Sequence, residues 1–174
     1  MNDLDLEAAL AGVVAGLAVR FPDLNVVVAE DVESVDLPVP AMVCQIAEIE
    51  PDPDGDQLTG QFPCLVRVQA RIVLGHRTPK VRMATLKLAG AVAAAVHTER
   101  FGVAWGGGRV FIVEPDEFSP DADRFDVWLV EWLHSASLGN GFALPAEFQP
   151  SQVLVSEAPL IDAGNHGAYR ELGS

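Results

Sequence analysis

Cysteine, tyrosine and positive charge are all scarce in this 174-residue chain, which holds two Cys, one Tyr and 11 Lys+Arg against 25 Asp+Glu. Two thiols cannot complete a structural zinc site without histidines at matching spacing. The four histidines (His76, His97, His134 and His166) show no such spacing. At a net charge of −14, binding to nucleic acid is disfavoured, because a duplex-binding surface needs many cations to displace phosphate counterions. No uninterrupted apolar run approaches the ~18 residues of a membrane span. The opening Met1-Asn2-Asp3-Leu4-Asp5 is acidic where a secretory leader is basic, so a cytosolic chain is the expectation.

What the chain does have is apolar mass. Hydrophobic residues make up 49%, with eight Phe and three Trp, enough for one domain with a full core. Its charge is segregated. Residues 1–63 hold 13 acids and the single base Arg20. Residues 64–113 hold eight bases (Arg67, Arg71, Arg77, Lys80, Arg82, Lys87, Arg100 and Arg109) and the single acid Glu99. Residues 114–174 hold 11 acids against Arg124 and Arg170. Two readings follow. Either the basic middle folds against its acidic flanks, or the subunit has unlike faces suited to head-to-tail contact with its own copies.

Periodicity orders the elements as α-β-β-β-α-β-β. Asp3 is placed to cap a helix with Leu6, Leu10, Val13, Val14 and Leu17 on its apolar side, ending near Arg20 because Pro22 disfavours helical geometry at Phe21. Strands are expected at 25–30, at 41–50 with Met42, Cys44 and Ile46 on one face, and at 61–74. In the last of these, Cys64, Val66, Val68, Ala70, Ile72 and Leu74 share a face opposite Arg67, Gln69 and Arg71. Thr78-Pro79 reads as the start of a second helix carrying Val81, Leu86, Leu88, Ala89, Val92, Ala93 and Val96. Strands at 109–114 and 124–134 close the domain, and the last is apolar on both faces, so a central position is expected for it. The fold class is therefore α+β, a mixed or antiparallel sheet of about five strands with two helices packed on one face. This domain covers 1–138, and the less regular 139–174 forms an extended C-terminal arm.

A hairpin folded about Asp54 pairs residues whose numbers add to about 108, which sets Cys44 opposite Cys64 and Met42 opposite Val66 on the core face. In a reducing compartment these two cysteines are expected as buried thiols rather than a disulfide.

Residues bearing chemistry are sparse, and no catalytic, cofactor-binding or metal-binding set emerges. Gly106-Gly107-Gly108 lacks the Lys-Ser/Thr ending of a phosphate loop and precedes a strand, so it reads as turn chemistry. Asp52, Asp54 and Asp56 match the first ligand positions of a calcium loop, but Gln57 replaces the required glycine and Pro63 the bidentate acid. A solvated hairpin tip is the expectation there. Glu114, Asp116 and Glu117 read as an exposed acidic turn. Trp128 and Trp132 share one strand face, with Glu131 on the other; core or subunit interface is their commoner fate, a ligand-stacking shelf the alternative.

The N-terminal amphipathic helix, the alternating strand Val66 to Leu74, the Ala-rich helix after it and the closing strand Phe125-Asp126-Val127-Trp128-Leu129-Val130-Glu131-Trp132 together resemble the tail terminator family of long-tailed bacteriophages, nearest its Mu-like branch. The resemblance covers residues 1–138 and rests on element order and texture. It implies a small structural protein of the virion, not an enzyme, needing no cofactor. Six copies would form a ring at the head-proximal end of the tail. Its partners would be itself, the tail tube protein and the head–neck connector, with DNA passing through the lumen without specific binding and no membrane involved. Arg67, Arg71 and the tip Asp52, Asp54 and Asp56 are the candidate subunit-interface residues. The alternatives are another phage neck or tail-completion protein, or an α+β ligand-binding domain with Trp128 and Trp132 in its pocket.

Overall fold

Asp5, rather than Asp3, opens the first helix. In the computed structural model, which describes residues 4–31, 38–55, 60–116 and 125–141 and the short strands 154–155 and 170–171, helix α1 spans Leu6–Arg20. The Asp5 carboxylate accepts from the Ala8 backbone N–H at 3.0 Å, satisfying one of the donors that a helix start leaves without a partner. The helix ends at Phe21, as the following proline requires. It buries Ala9, Leu10, Val13 and Leu17, while Leu6 and Val14 pack at the margin of the core. Each fully buried Val or Leu contributes roughly 1.5–3 kcal/mol relative to exposure.

Five strands follow the expected order: β1 (Asn25–Val28), β2 (Ala41–Pro51), β3 (Phe62–Gly75), then helix α2 (Val81–Val96), β4 (Arg109–Pro115) and β5 (Phe125–Leu138). They form one sheet in the order β1-β2-β3-β5-β4. β1 runs parallel to β2 and the other pairs are antiparallel, so the sheet is mixed. β5, apolar on both faces, lies inside the sheet between β3 and β4. Both helices cover the same face, where α1 side chains and Ala89, Val92 and Val96 of α2 join Met42, Cys44, Cys64, Val66, Val68, Ala70, Ile72, Val130 and Trp132 in one cluster. Arg20 ties the two helix ends together, pairing with Glu99 at 2.8 Å and donating to the Ala95 carbonyl.

The hairpin register differs from expectation. Met42 faces Ile72 and Cys44 faces Ala70, a displacement of six residues from the Val66 and Cys64 pairings. The connection runs from Asp52 to Gln61, so its midpoint lies beyond Asp54; a 3₁₀ turn at Pro53–Gly55 uses up the residues that looked like the whole loop. An even displacement leaves the side chains up to Ile46 on their expected faces, and both cysteines are buried free thiols. Burial pushes the Cys44 thiol up to about 12.

Two local expectations are corrected on α2. The helix begins at Val81, because Lys80 adopts a left-handed conformation (φ 53°) that separates Thr78-Pro79 from it; Thr78 instead closes a turn onto the Gly75 carbonyl. Leu86 is 40% exposed rather than buried, and Thr85 takes an inward position, its hydroxyl donating to the Val81 carbonyl.

The chain divides into two compact units, 1–141 and 142–174. Of the second, β6 (Leu154–Val155) and β7 (Arg170–Glu171) are described, and they pair antiparallel.

Candidate functional site

Alternation along β3 sends Arg67, Gln69 and Arg71 to the sheet face opposite the helices. Their cross-strand partners Leu133, Glu131 and Leu129 on β5 share that face. On β2 the same face starts with Val43 and Gln45, and a bulge at Ala47 then shifts the register between Ile46 and Glu48. The extra residue reverses the alternation, so Glu48 and Glu50 turn outward beside Arg67 instead of inward with Met42 and Cys44. Without the bulge, two carboxylates would point into the apolar core.

These residues form a connected polar network. Gln45 donates to the Gln69 amide oxygen at 2.8 Å, and Gln69 donates to the Glu131 carboxylate. Arg67 lies 3.3 Å from Glu131, pairs with Glu50, and reaches Glu48 at 3.6 Å. Glu131 is 3% exposed although no described helix covers its face, because Arg67 and Gln69 shelter it. One guanidinium thus serves three carboxylates; desolvation lowers the Arg67 pKa, but Glu50, with Glu131 and Glu48, outweighs it and the net shift is upward. The Phe111 ring stacks on it, 5.1 Å from centroid to guanidinium carbon. Four residues along β3, Arg71 pairs with Asp116 at 2.9 Å.

Of the five candidate interface residues, then, Arg67 and Arg71 share the open face and are paired within their own chain. The basic middle of the sequence folds against its acidic flanks at both positions. Asp52 lies elsewhere, lining a cleft with Asp5, Gln61 and Trp105, while Asp54 sits in the 3₁₀ turn at the hairpin tip. Asp56 and Glu117 lie outside the described residues. Asp116 is not the freely exposed turn acid expected of it, since its side chain is 14% exposed and engaged by Arg71. The expectation overlooked Gln45, Glu48 and Glu50. The polar face of β3 was the available signal, since three polar residues at alternate positions in a sheet demand partners on its neighbours.

A second buried polar cluster sits under the helix face. Trp132 donates its indole N–H to His134 Nε2 at 2.8 Å, so Nδ1 carries the proton and donates to the Gly106 carbonyl at 2.8 Å. The Trp105 ring stacks on the imidazole with centroids 3.9 Å apart, and its own N–H donates to the Arg100 carbonyl. Trp132 is fully buried here and forms no shelf with Trp128. Trp128, partly buried, lines a separate cleft of about 510 Å³ with His76, Arg82, Asp116 and Asp126.

This geometry fixes a pH dependence. Burial lowers the His134 pKa below 6.5, offset in part by the Gly106 carbonyl. The unfolded chain therefore takes up the proton more readily than the folded one. The neutral ring's contribution is complete above the unfolded value and is lost as pH falls from about 6.5 toward the depressed folded value. Urea titrations should show stability dropping over that interval, and His134→Gln should flatten that part of the profile. An unchanged slope in the variant would refute the assignment.

Among the described residues, no group of three His, Cys, Asp or Glu side chains is placed to hold a metal ion, and no helix is long and apolar enough to cross a membrane. Comparison with protein-family models gives no match, and comparison with curated protein sequences gives no significant one.

Proposed function

We propose that this chain is a structural subunit of a bacteriophage tail, copies of which close into a ring at the head-proximal end of the tail tube. The ring ends tube polymerisation and joins the tail to the head connector. One observation carries the reading: among the described residues the five-stranded sheet has its helices on one face, and the other face is built around the nearly buried Glu131 and its bonds to Gln69 and Arg67. A sheet face ordered by a connected polar network, with Phe111 standing out from it, is suited to receive a rigid neighbour. The element order and the single helical layer agree with the resemblance to tail terminators. A subunit of net charge −14 also suits a channel through which DNA slides, because a basic lumen would bind the phosphates.

The test is mass and shape in solution. Sedimentation and negative-stain imaging should find closed rings several times the 18.6 kDa subunit, alone or in the presence of tail tube protein, and added rings should shorten tubes growing in vitro. A strict monomer at every concentration, with tube growth unaffected, overturns the proposal.

A further inference from the structure

We infer that the solvent face of α2 is the surface by which one copy seats on the open sheet face of the next. The inference rests on the ring reading above and names the two surfaces that make the contact. In a chain with 25 acids, the 16 residues of α2 contain none. They carry Arg82 and Lys87, both exposed and neither in an ion pair among the described residues, Arg82 at the rim of the cleft that holds Asp116 and Asp126. Beside them Met83 and Leu86 are 51% and 40% exposed. Arg82 lies one turn from Leu86 and Met83 one turn from Lys87, so each cation has an apolar neighbour on the same side of the helix.

Gly90 lies one turn beyond Leu86 and is the more telling residue. A Cβ built there meets nothing within 4 Å, and the backbone has no left-handed conformation to require glycine. Glycine inside a helix is disfavoured by about 1 kcal/mol relative to alanine. Nothing among the described residues compensates for that. A neighbouring copy packed closely against the helix does, because only glycine lets the two backbones approach there.

The open sheet face is the complement. Glu48 and Glu50 share a single guanidinium with Glu131, leaving negative charge in excess, and Phe111, stacked on that guanidinium, is 46% exposed. Arg82 and Lys87 flank the Gly90 line on its two sides, about 140° apart around the helix, so each cation reaches down one edge of that helix face toward a carboxylate-bearing surface. The two surfaces lie on different sides of the subunit, since α2 covers the opposite sheet face. A contact between unlike surfaces propagates head to tail and closes when the rotation permits.

Gly90→Leu tests the packing, with ring formation scored by sedimentation and folding by thermal melting. Open space at this position predicts a melting temperature equal to or above that of the unmodified chain, while the ring fraction falls at least about tenfold. Charge reversal tests the pairing. Arg82→Glu with Lys87→Glu, and separately Glu48→Lys with Glu50→Lys, should each abolish rings; the fourfold variant should regain them. Rings that persist in Gly90→Leu and in both reversals overturn this inference and leave the ring reading standing. If the unmodified chain forms no ring, alone or with tail tube protein, both fall together.

Discussion

Trp132→Ala is expected to lower the unfolding free energy by about 3–5 kcal/mol. That is a large part of the 5–15 kcal/mol available to a domain of this size. Trp132 is the largest fully buried side chain, lodged where β5 meets α2 and the segment before β4. Truncation creates a cavity beside its cross-strand partner Val68 and against Gly108, and it also removes the N–H that His134 Nε2 accepts from. The imidazole is then left with a buried acceptor, which adds desolvation to the lost dispersion. Trp132→Phe separates the two effects by keeping most of the ring volume while deleting the N–H. It should lose about 1–3 kcal/mol, the cost of the unpaired acceptor. Urea unfolding with a common m-value provides the measurement. A Trp132→Phe protein as stable as the parent would show that the indole–imidazole bond contributes nothing beyond volume.

How far the sequence discloses this molecule can be followed residue by residue. Faces are legible wherever alternation is sustained: every inward residue assigned on β3 is buried, and Trp132 and Glu131 fall on opposite faces of β5 as their adjacency demands. Register is less legible because it depends on loop geometry. The Asp/Pro/Gly run at 51–56 contains a real turn at Pro53–Gly55, but not the centre of the connection. The bulge at Ala47 leaves no mark in composition, yet it alone delivers Glu48 and Glu50 to Arg67. Charge segregation was visible as numbers, and which carboxylate meets which cation follows only once strands 19 and 64 residues distant from Arg67 are laid beside it. Thr78-Pro79 shows a different limit, in which a good local start signal is overruled by the left-handed Lys80.

The glycine run gives the sharpest contrast, and its consequence is a second large effect. Gly106, Gly107 and Gly108 read as turn residues, yet none has a positive φ; what the fold uses is the missing Cβ. Gly108 is buried, and a Cβ there would stand 2.3 Å from the Val96 carbonyl oxygen and 3.2 Å from the Trp132 ring. The first of these is backbone at the end of α2 and cannot swing aside. It is held further by two bonds across the same gap: the Thr98 N–H donates to the Gly108 carbonyl at 2.7 Å, and the Gly108 N–H to the Glu99 carbonyl at 2.9 Å.

Gly108→Ala must therefore push the start of β4 away from the helix end or break both bonds. Overpacking of this kind costs about 1–3 kcal/mol, and each net hydrogen bond lost adds roughly 1 kcal/mol. A total of about 3 kcal/mol or more is expected, together with faster amide exchange at Thr98 and Gly108 than in the unmodified protein. Gly90→Ala supplies the control within the same helix–strand unit. Its new methyl enters open space, and the substitution should stabilise the folded subunit by about 0.5–1 kcal/mol. One methyl group would thus act in opposite directions at two glycines 18 residues apart, according to whether a carbonyl or solvent lies ahead of it. A Gly108→Ala protein as stable as the parent would mean that β4 and α2 do not approach as closely as the bonds between Thr98, Glu99 and Gly108 require.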